Sequence, residues 1–357
     1  TSPSRASFST CTDNAPQWKG MLLEPSNRLS LDEATGLIQS AFTGVGVSTD
    51  IALCVAQALV AAEAEGQVGH GFSRVEDYAA QVRTGKIRAN AVVEIHQKGT
   101  SSLLADAGFG FAYPALEQII KKGIELAPAC GSVTMGVTRS HHCGALSVQV
   151  EKLAREGLVA IMVANTPAAM APHGAKEAVF GTNPIAFAAP RDGRDPLVMD
   201  LSLSRVARGK VMSAHKAGNP IPEGWALDAE GNPTTDPEKA LAGTMLPIGE
   251  AKGTALALMV EILASVMTGA SFSSQASSFF KADGPSPGVG QFLIAMKPQD
   301  SQFAERLEAV LTLSDTQEGA RLPGSRRSSA IREAEANGID VPVRYIDALR
   351  KLAEGGT

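Results

Sequence analysis

The chain has 357 residues, 44% of them hydrophobic and 19% charged, which is the balance of a globular protein with a sizeable core and, by length, about two domains. A net charge of −5 and an aromatic content of only 5% exclude the basic, base-stacking surface of a nucleic-acid partner. No apolar run approaches the ~20 residues that span a bilayer, so no membrane partner is expected.

Residues 1–20 are rich in Ser, Thr, Asn and Asp and lack an apolar core, so they read as a disordered leader ahead of Met21. Ser30-Leu31-Asp32-Glu33 is a capping box, and Leu31, Ala34, Leu37, Ile38 and Ala41 follow at helical spacing. Ser48 and Thr49 offer the start of a second helix over 51–64, which delivers the chain to Gly69-His70-Gly71. A third helix is predicted over 114–126, with proline in its first turn. From Ser132 the pattern changes to short apolar runs at 133–137, 159–163, 184–187 and 197–199, which read as buried strands. A helix over 145–155, ended by Gly157, lies between the first two.

Residues 213–247 hold Pro220, Pro222, Pro233 and Pro237 and read as a long irregular excursion. Residues 253–268 are apolar enough to predict a buried helix; a Ser/Gly/Pro-rich loop over 271–290 and a strand over 291–296 follow. Helices are predicted at 303–313, 327–337 and 342–353. The expected fold class is α/β: a mixed-sheet domain over 126–298, and a discontinuous helical domain from 21–125 with 299–357. Cys11, Cys54, Cys130 and Cys143 form no CxxC pair, which disfavours a disulfide framework or zinc knuckle and fits a reducing, cytoplasmic compartment.

Four of the six histidines sit in short glycine-containing motifs: His70 in Gly69-His70-Gly71, His141 and His142 in Ser140-His141-His142-Cys143-Gly144, and His173 in Pro172-His173-Gly174. Imidazole trades protons near neutral pH, and glycine lets backbone approach a ligand. His70 and Arg74, four apart, share one side of a helix or tight turn. They suit a carboxylate substrate whose neighbouring C=O or C=N is reduced, with arginine holding the carboxylate and histidine moving a proton. Asp200 ends a predicted strand, a common place for a functional carboxylate. Ser140-His141-His142-Cys143-Gly144 sits between a strand and a helix, where helix N–H groups favour phosphate. Adjacent histidines point apart, which argues against a metal. Arg321-Leu322-Pro323-Gly324-Ser325-Arg326-Arg327 packs three arginines around a helix start and suits a 2′-phosphate, favouring NADPH over NADH. No GxGxxG loop follows a strand, so a Rossmann nucleotide fold is not expected.

In this order the motifs resemble the malate/L-lactate dehydrogenase-like, non-Rossmann family of NAD(P)-dependent oxidoreductases. The likeness is nearest to its Δ1-piperideine-2-carboxylate and Δ1-pyrroline-2-carboxylate reductases and runs from about Leu29 to the last helices. Its carriers are His70 to Arg74, Arg139 to Ala145, Pro172-His173-Gly174, Gly181-Thr182-Asn183-Pro184, Asp200, Ala207 to Val211, Glu250 to Gly253 and Arg321 to Arg327. The resemblance implies that His70 is the proton donor, Arg74 the carboxylate anchor and Asp200 the acid that polarises the histidine. It implies cofactor contacts at His142, Cys143, Gly144, Ala145 and Leu146, at Gly181, Thr182, Asn183 and Pro184, at Lys252, and at Arg321, Gly324, Ser325, Arg326 and Arg327. It also implies a homodimer with no metal, and reduction of a cyclic imino acid to L-proline or L-pipecolate; the alternative is a 2-oxo acid reductase or 2-hydroxy acid dehydrogenase. Two departures stand out. Gly69 occupies the position where the family carries a relay serine, so a relay through Asp200, water or Ser73 is expected instead. Ala168 stands where the piperideine reductases carry a substrate-contacting threonine.

Overall fold

The capping box at Ser30 forms as its residue types require: Ser30 N donates to Glu33 Oε2 at 2.8 Å and Glu33 N to Ser30 Oγ at 3.2 Å. The structure is a computed structural model that describes residues 25–355; the expected leader and Met21 lie outside them. Strand β1 (Ser26–Leu29) leads into helices α1 (Leu31–Gly44) and α2 (Thr49–Ala64). Two 3₁₀ turns, Val68–His70 and Phe72–Arg74, then feed helix α3 (Val75–Arg83). Near the other end, α10 (Ser325–Asn337), β12 (Ile339–Pro342) and α11 (Val343–Ala353) return to the same layer. β1 pairs antiparallel with β12, and one core joins Ile38, Phe42, Leu59 and Tyr78 to Ala334, Val341, Ile346 and Leu349. Gly44 lets α1 and α11 touch: a Cβ there would lie 2.2 Å from Leu352 O.

The central sheet has seven strands in the order β2-β3-β4-β11-β5-β6-β7. They are β2 (Glu94–Gly99), β3 (Ser102–Asp106), β4 (Ser132–Ser140), β5 (Val159–Ala164), β6 (Ile185–Ala189), β7 (Leu197–Leu201) and β11 (Val289–Met296). Only the β3–β4 pair is parallel, unlike a doubly wound nucleotide fold. Helices α4 (Ala112–Cys130) and α5 (Leu146–Arg155) cover one face, burying Leu116, Ile119 and Leu153 against Met135, Met162 and Leu293. The expected domain boundary between residues 125 and 126 falls inside α4.

Helix α8 (Ala251–Glu261) and the π turn Ile262–Val266 cover the other face through Ala257, Val260 and Ala264. Covered on both sides, β5 and β11 read as continuous apolar runs rather than alternating ones. The buried helix expected at 253–268 is only half right: Leu256, Met259, Val266 and Met267 on its outer side are 41%, 42%, 57% and 60% exposed. The excursion expected over 213–247 is built rather than irregular. It holds α6 (Arg208–Lys216), β8 (Ala226–Leu227), β9 (Pro233–Thr234), an Asp236-capped α7 (Pro237–Ala242) and β10 (Thr244–Met245), the strands forming a small separate sheet. Helix α9 (Phe303–Asp315) packs Leu311 on Leu197 and Ala189 at the sheet edge.

Candidate active site

The two 3₁₀ turns set His70 and Arg74 beside one another. His70 N donates to Gln67 O at 2.7 Å, and Arg74 N to Gly71 O at 3.0 Å. Gly71 makes room for Glu63: a Cβ would meet Glu63 Oε2 at 1.8 Å and displace the oxygen that accepts from Phe72 N at 2.9 Å. The Arg74 side chain is fixed by donation from Nε to Gly69 O at 2.6 Å and by the Phe280 ring, 4.7 Å beneath its guanidinium. Burial, with Arg74 beside it, holds the His70 imidazole down at about 4, so it is neutral at pH 7.

Loop 141–145 supplies the second wall. The His142 ring stacks on His70 at 5.2 Å and 18°. The Tyr78 hydroxyl lies 2.5 Å from His142 Nδ1 and 3.2 Å from the Tyr113 hydroxyl. Burial, then His70, Arg74 and His141, hold His142 well below the usual histidine range. His141 turns away, its Nε2 2.8 Å from Gln81 Oε1, so the adjacent imidazoles share no ligand direction. Gly144, at φ +68°, keeps the loop against Tyr113: a Cβ would lie 2.8 Å from that hydroxyl. Cys143, Ala145 and Leu146 are buried, and burial pushes the Cys143 thiol up to about 12.

Asp200 caps the N-terminus of α5, accepting from Ser147 N at 2.9 Å. A carboxylate of the chain itself therefore occupies the helix end that the sequence offered to phosphate. Burial raises the Asp200 carboxyl against the lowering effect of hydrogen bonds from Ser147, Gln67 and Leu146. The direct relay does not form: His70 Nδ1 is buried without a hydrogen-bond partner. Ser73, the other expected relay, donates to Val68 O at 2.8 Å instead.

The remaining motifs divide. Asn183, at φ +38° and fully buried, turns inward, donating to Glu261 Oε2 at 2.9 Å and Ala257 O at 3.1 Å. Its neighbours are held by Thr166: Thr182 N donates to Thr166 Oγ1 at 3.0 Å, and a Cβ on Gly181 would lie 2.1 Å from the same oxygen. Pro184 ends this turn into β6. His173 and Lys252 are exposed at the mouth of α8, where His173 N donates to Thr254 Oγ1 at 2.9 Å. In the arginine motif, Arg321 and Arg326 are exposed, whereas Arg327 is nearly buried and its Nη2 donates to both Glu65 and Glu151. Gly324, at φ +80°, packs on β7, where a Cβ would lie 2.2 Å from Val198 O.

A nucleotide cofactor fits these residues. Ser325 Oγ is buried without a partner at the start of α10 and borders a cleft of about 790 Å³ between α10 and the 191–198 turn. Tyr78, Tyr113, Phe279 and Phe280 were not singled out from the sequence. Tyr78 stands one helical turn beyond Arg74, and Phe279-Phe280 is an aromatic pair in a serine-rich loop; those are the signals that could have found them.

The chain matches the malate/L-lactate dehydrogenase family over residues 29–350. It is 49% identical to the (2R)-3-sulfolactate dehydrogenase (NADP(+)) of Chromohalobacter salexigens over 330 residues, 92% of this chain and 98% of that protein. It is 35% identical to the Δ1-pyrroline-2-carboxylate/Δ1-piperideine-2-carboxylate reductase of Pseudomonas putida, covering 91% of this chain and 96% of that one. Among solved structures, the Δ1-piperideine-2-carboxylate reductase of Pseudomonas syringae superposes with a TM-score of 0.86 at 35% identity, covering 91% of this chain and 99% of that one. With this fold, this site and a match over nearly its whole length, the chain belongs to the malate/L-lactate dehydrogenase family and is an NAD(P)-dependent oxidoreductase.

Proposed function

We propose that this protein is an NADP(H)-dependent 2-hydroxy acid dehydrogenase of the sulfolactate type. The observation that carries this reading is the 49% identity to a sulfolactate dehydrogenase over nearly the full length of both chains, against 35% for a pyrroline/piperideine-carboxylate reductase. It reverses the order of preference drawn from the motifs. Ala168 in place of the threonine of the piperideine reductases supports the same reading.

The chemistry asked of the chain is modest. Bound NADP(H) supplies or accepts hydride at the nicotinamide. Arg74, fixed from below by Phe280, takes the substrate carboxylate with its outer edge. His70, neutral at pH 7, accepts the hydroxyl proton in the oxidative direction and becomes imidazolium; in the reverse direction His70 must first take up a proton, and this imidazolium gives it to the oxygen. His142 keeps the His70 ring flat by stacking, and Asp200 places its charge behind the 141–145 loop. Arg321 and Arg326 favour the extra phosphate of NADPH, and NADH binds more weakly. The chain works as a homodimer, for which the exposed apolar side of α8 offers a surface, and in a reducing cytoplasm, with Cys54, Cys130 and Cys143 as free thiols.

The test compares NADPH oxidation with sulfopyruvate, pyruvate, oxaloacetate and Δ1-pyrroline-2-carboxylate. The expected kcat/KM for a 2-oxo acid exceeds that for the imine at least about tenfold, the scale of one good polar contact. The cyclic imino acid reading wins if the order is reversed.

A further inference from the structure

Arg327 stands among three carboxylates drawn from three other parts of the chain: Glu65 after α2, Glu151 on α5 and Asp200 on β7. Its side chain and those of Glu65 and Glu151 are 11%, 2% and 12% exposed. Arg327 Nη2 donates to Glu65 Oε1 and to Glu151 Oε2. The other Glu65 oxygen accepts from Ser147 Oγ at 2.5 Å and Gln67 Nε2 at 3.2 Å. Ser147 N in turn donates to Asp200 Oδ2 at 2.9 Å. A continuous polar chain therefore runs from the arginine motif to Asp200. Both contacts run through Nη2 and Nε is buried without a partner, but two carboxylates already balance the Arg327 charge, which leaves little net attraction for a cofactor phosphate.

We propose that Arg327 is a positioning residue for Asp200, acting through Glu65 and Ser147, rather than a phosphate ligand. The inference rests on the assignment of Asp200 to the active site. By holding Glu65 ionised and in place, Arg327 keeps the Ser147 hydroxyl turned to Glu65 and the Ser147 N–H turned to Asp200. The groups facing Asp200 are the N–H groups of Leu146 and Ser147, the Gln67 amide and the Cys143 thiol; those facing Glu65 are Arg327, Ser147, Gln67 and Glu151. Also on α5, Arg155 lies 2.6 Å from Glu151, and Lys152 pairs with Glu117 at 2.5 Å.

The experiment is the pH profile of kcat/KM in Glu65→Gln and Arg327→Gln, with Asp200→Asn alongside. Removing a neighbouring anion moves the acid limb to lower pH and removing a cation moves it to higher pH, each by about half a unit or more. A merely structural role would not move the two variants in opposite directions. The ratio of NADPH to NADH kcat/KM stays within about twofold in both. A roughly tenfold rise in KM for NADPH in Arg327→Gln, with the limb unmoved, overturns the proposal. So does a shift of both limbs in one direction. Should Arg327→Gln fail to fold, Arg327→Lys keeps the charge: the limb stays in place if the proposal holds, and a lost NADPH preference without any limb shift in Glu65→Gln sinks it. An Asp200→Asn enzyme of unchanged activity removes the assignment underneath, an outcome distinct from an inactive Asp200→Asn with immobile limbs elsewhere.

Discussion

At His70, charge state and ring position come from different neighbours. The stacked His142 ring fixes orientation, and Arg74 with burial fixes the neutral form. His70→Ala is expected to lower kcat by roughly 10²- to 10⁴-fold with NADP(H) binding intact, measured by steady-state rates and cofactor titration; unchanged turnover removes His70 from the chemistry. On the proposed anchor role of Arg74, Arg74→Ala is expected to raise KM for the carboxylate substrate about 10- to 100-fold. An effect confined to kcat argues against the anchor. The spacing of His70 and Arg74 was legible because two short turns preserve the four-residue relation that a helix would give. The Asp200 cap on α5 was not, because nothing local in a strand end says which N–H groups its carboxylate meets.

At the scale of elements, the loop over 272–288 is held onto the site by Lys86, with Gln81 Nε2 donating to Phe279 O at 2.7 Å and Thr84 Oγ1 to Ala282 O at 2.8 Å beside it. Lys86 is 2% exposed, and its Nζ donates to Ser278 O at 2.7 Å, Lys281 O at 2.9 Å and Asp283 O at 3.0 Å. Lys86→Met leaves three carbonyls without that donor, so a loss of about 1–3 kcal/mol in stability is expected by chemical denaturation. Faster proteolytic cleavage within 277–286 and a raised substrate KM should accompany it, since Phe280 under Arg74 rides on this loop. Strands β4, β5, β6, β7 and β11 were legible from the sequence because their apolar runs are unbroken, and β5 and β11 are covered on both faces. Edge strand β2 was not: Glu94, His96, Gln97 and Lys98 face solvent and mask the pairing with β3. Helix α8 misled for a related reason, since its outer side is as apolar as its inner one, and only packing shows which side is covered.

For the whole molecule, three imidazoles, His141 buried and His70 and His142 half-buried, govern behaviour in acid. Burial holds His141 down at about 3 and His70 at about 4, with His142 also well below the ordinary 6.5. In the unfolded chain these groups take up protons near 6.5, and in the folded one they do not. Their contribution is therefore complete above 6.5 and is lost as the pH falls toward 4. The raised carboxyls of Glu63, Glu65 and Asp200 work in the opposite sense, keeping protons that the unfolded chain gives up. Tm is expected to fall steadily between about pH 6.5 and 4, and to fall less in His141→Gln. A flat Tm across that range rules the imidazoles out. On the same scale, the proposed homodimer predicts twice the chain mass by light scattering and a halved mass in Leu258→Glu on the outer side of α8; a single-chain mass before substitution overturns the dimer, and an unchanged double mass overturns the α8 contact.

The pairing of β1 with β12 and of α1 with α11 also dictates a schedule. Arg28 and Asp340, joined at 2.7 Å, are 312 residues apart in the chain. During synthesis the helical layer that carries His70 and Arg74 has no partner for its open side until Ile339 and the helix after it have left the ribosome. At ~5–20 residues per second, the roughly 270 residues after His70 keep that layer waiting for about 15–50 s. A product cut short before β12 would hold a complete central sheet beneath exposed, unpaired helices. It would be inert and open to chaperones and proteases, so activity becomes a mark of finished translation.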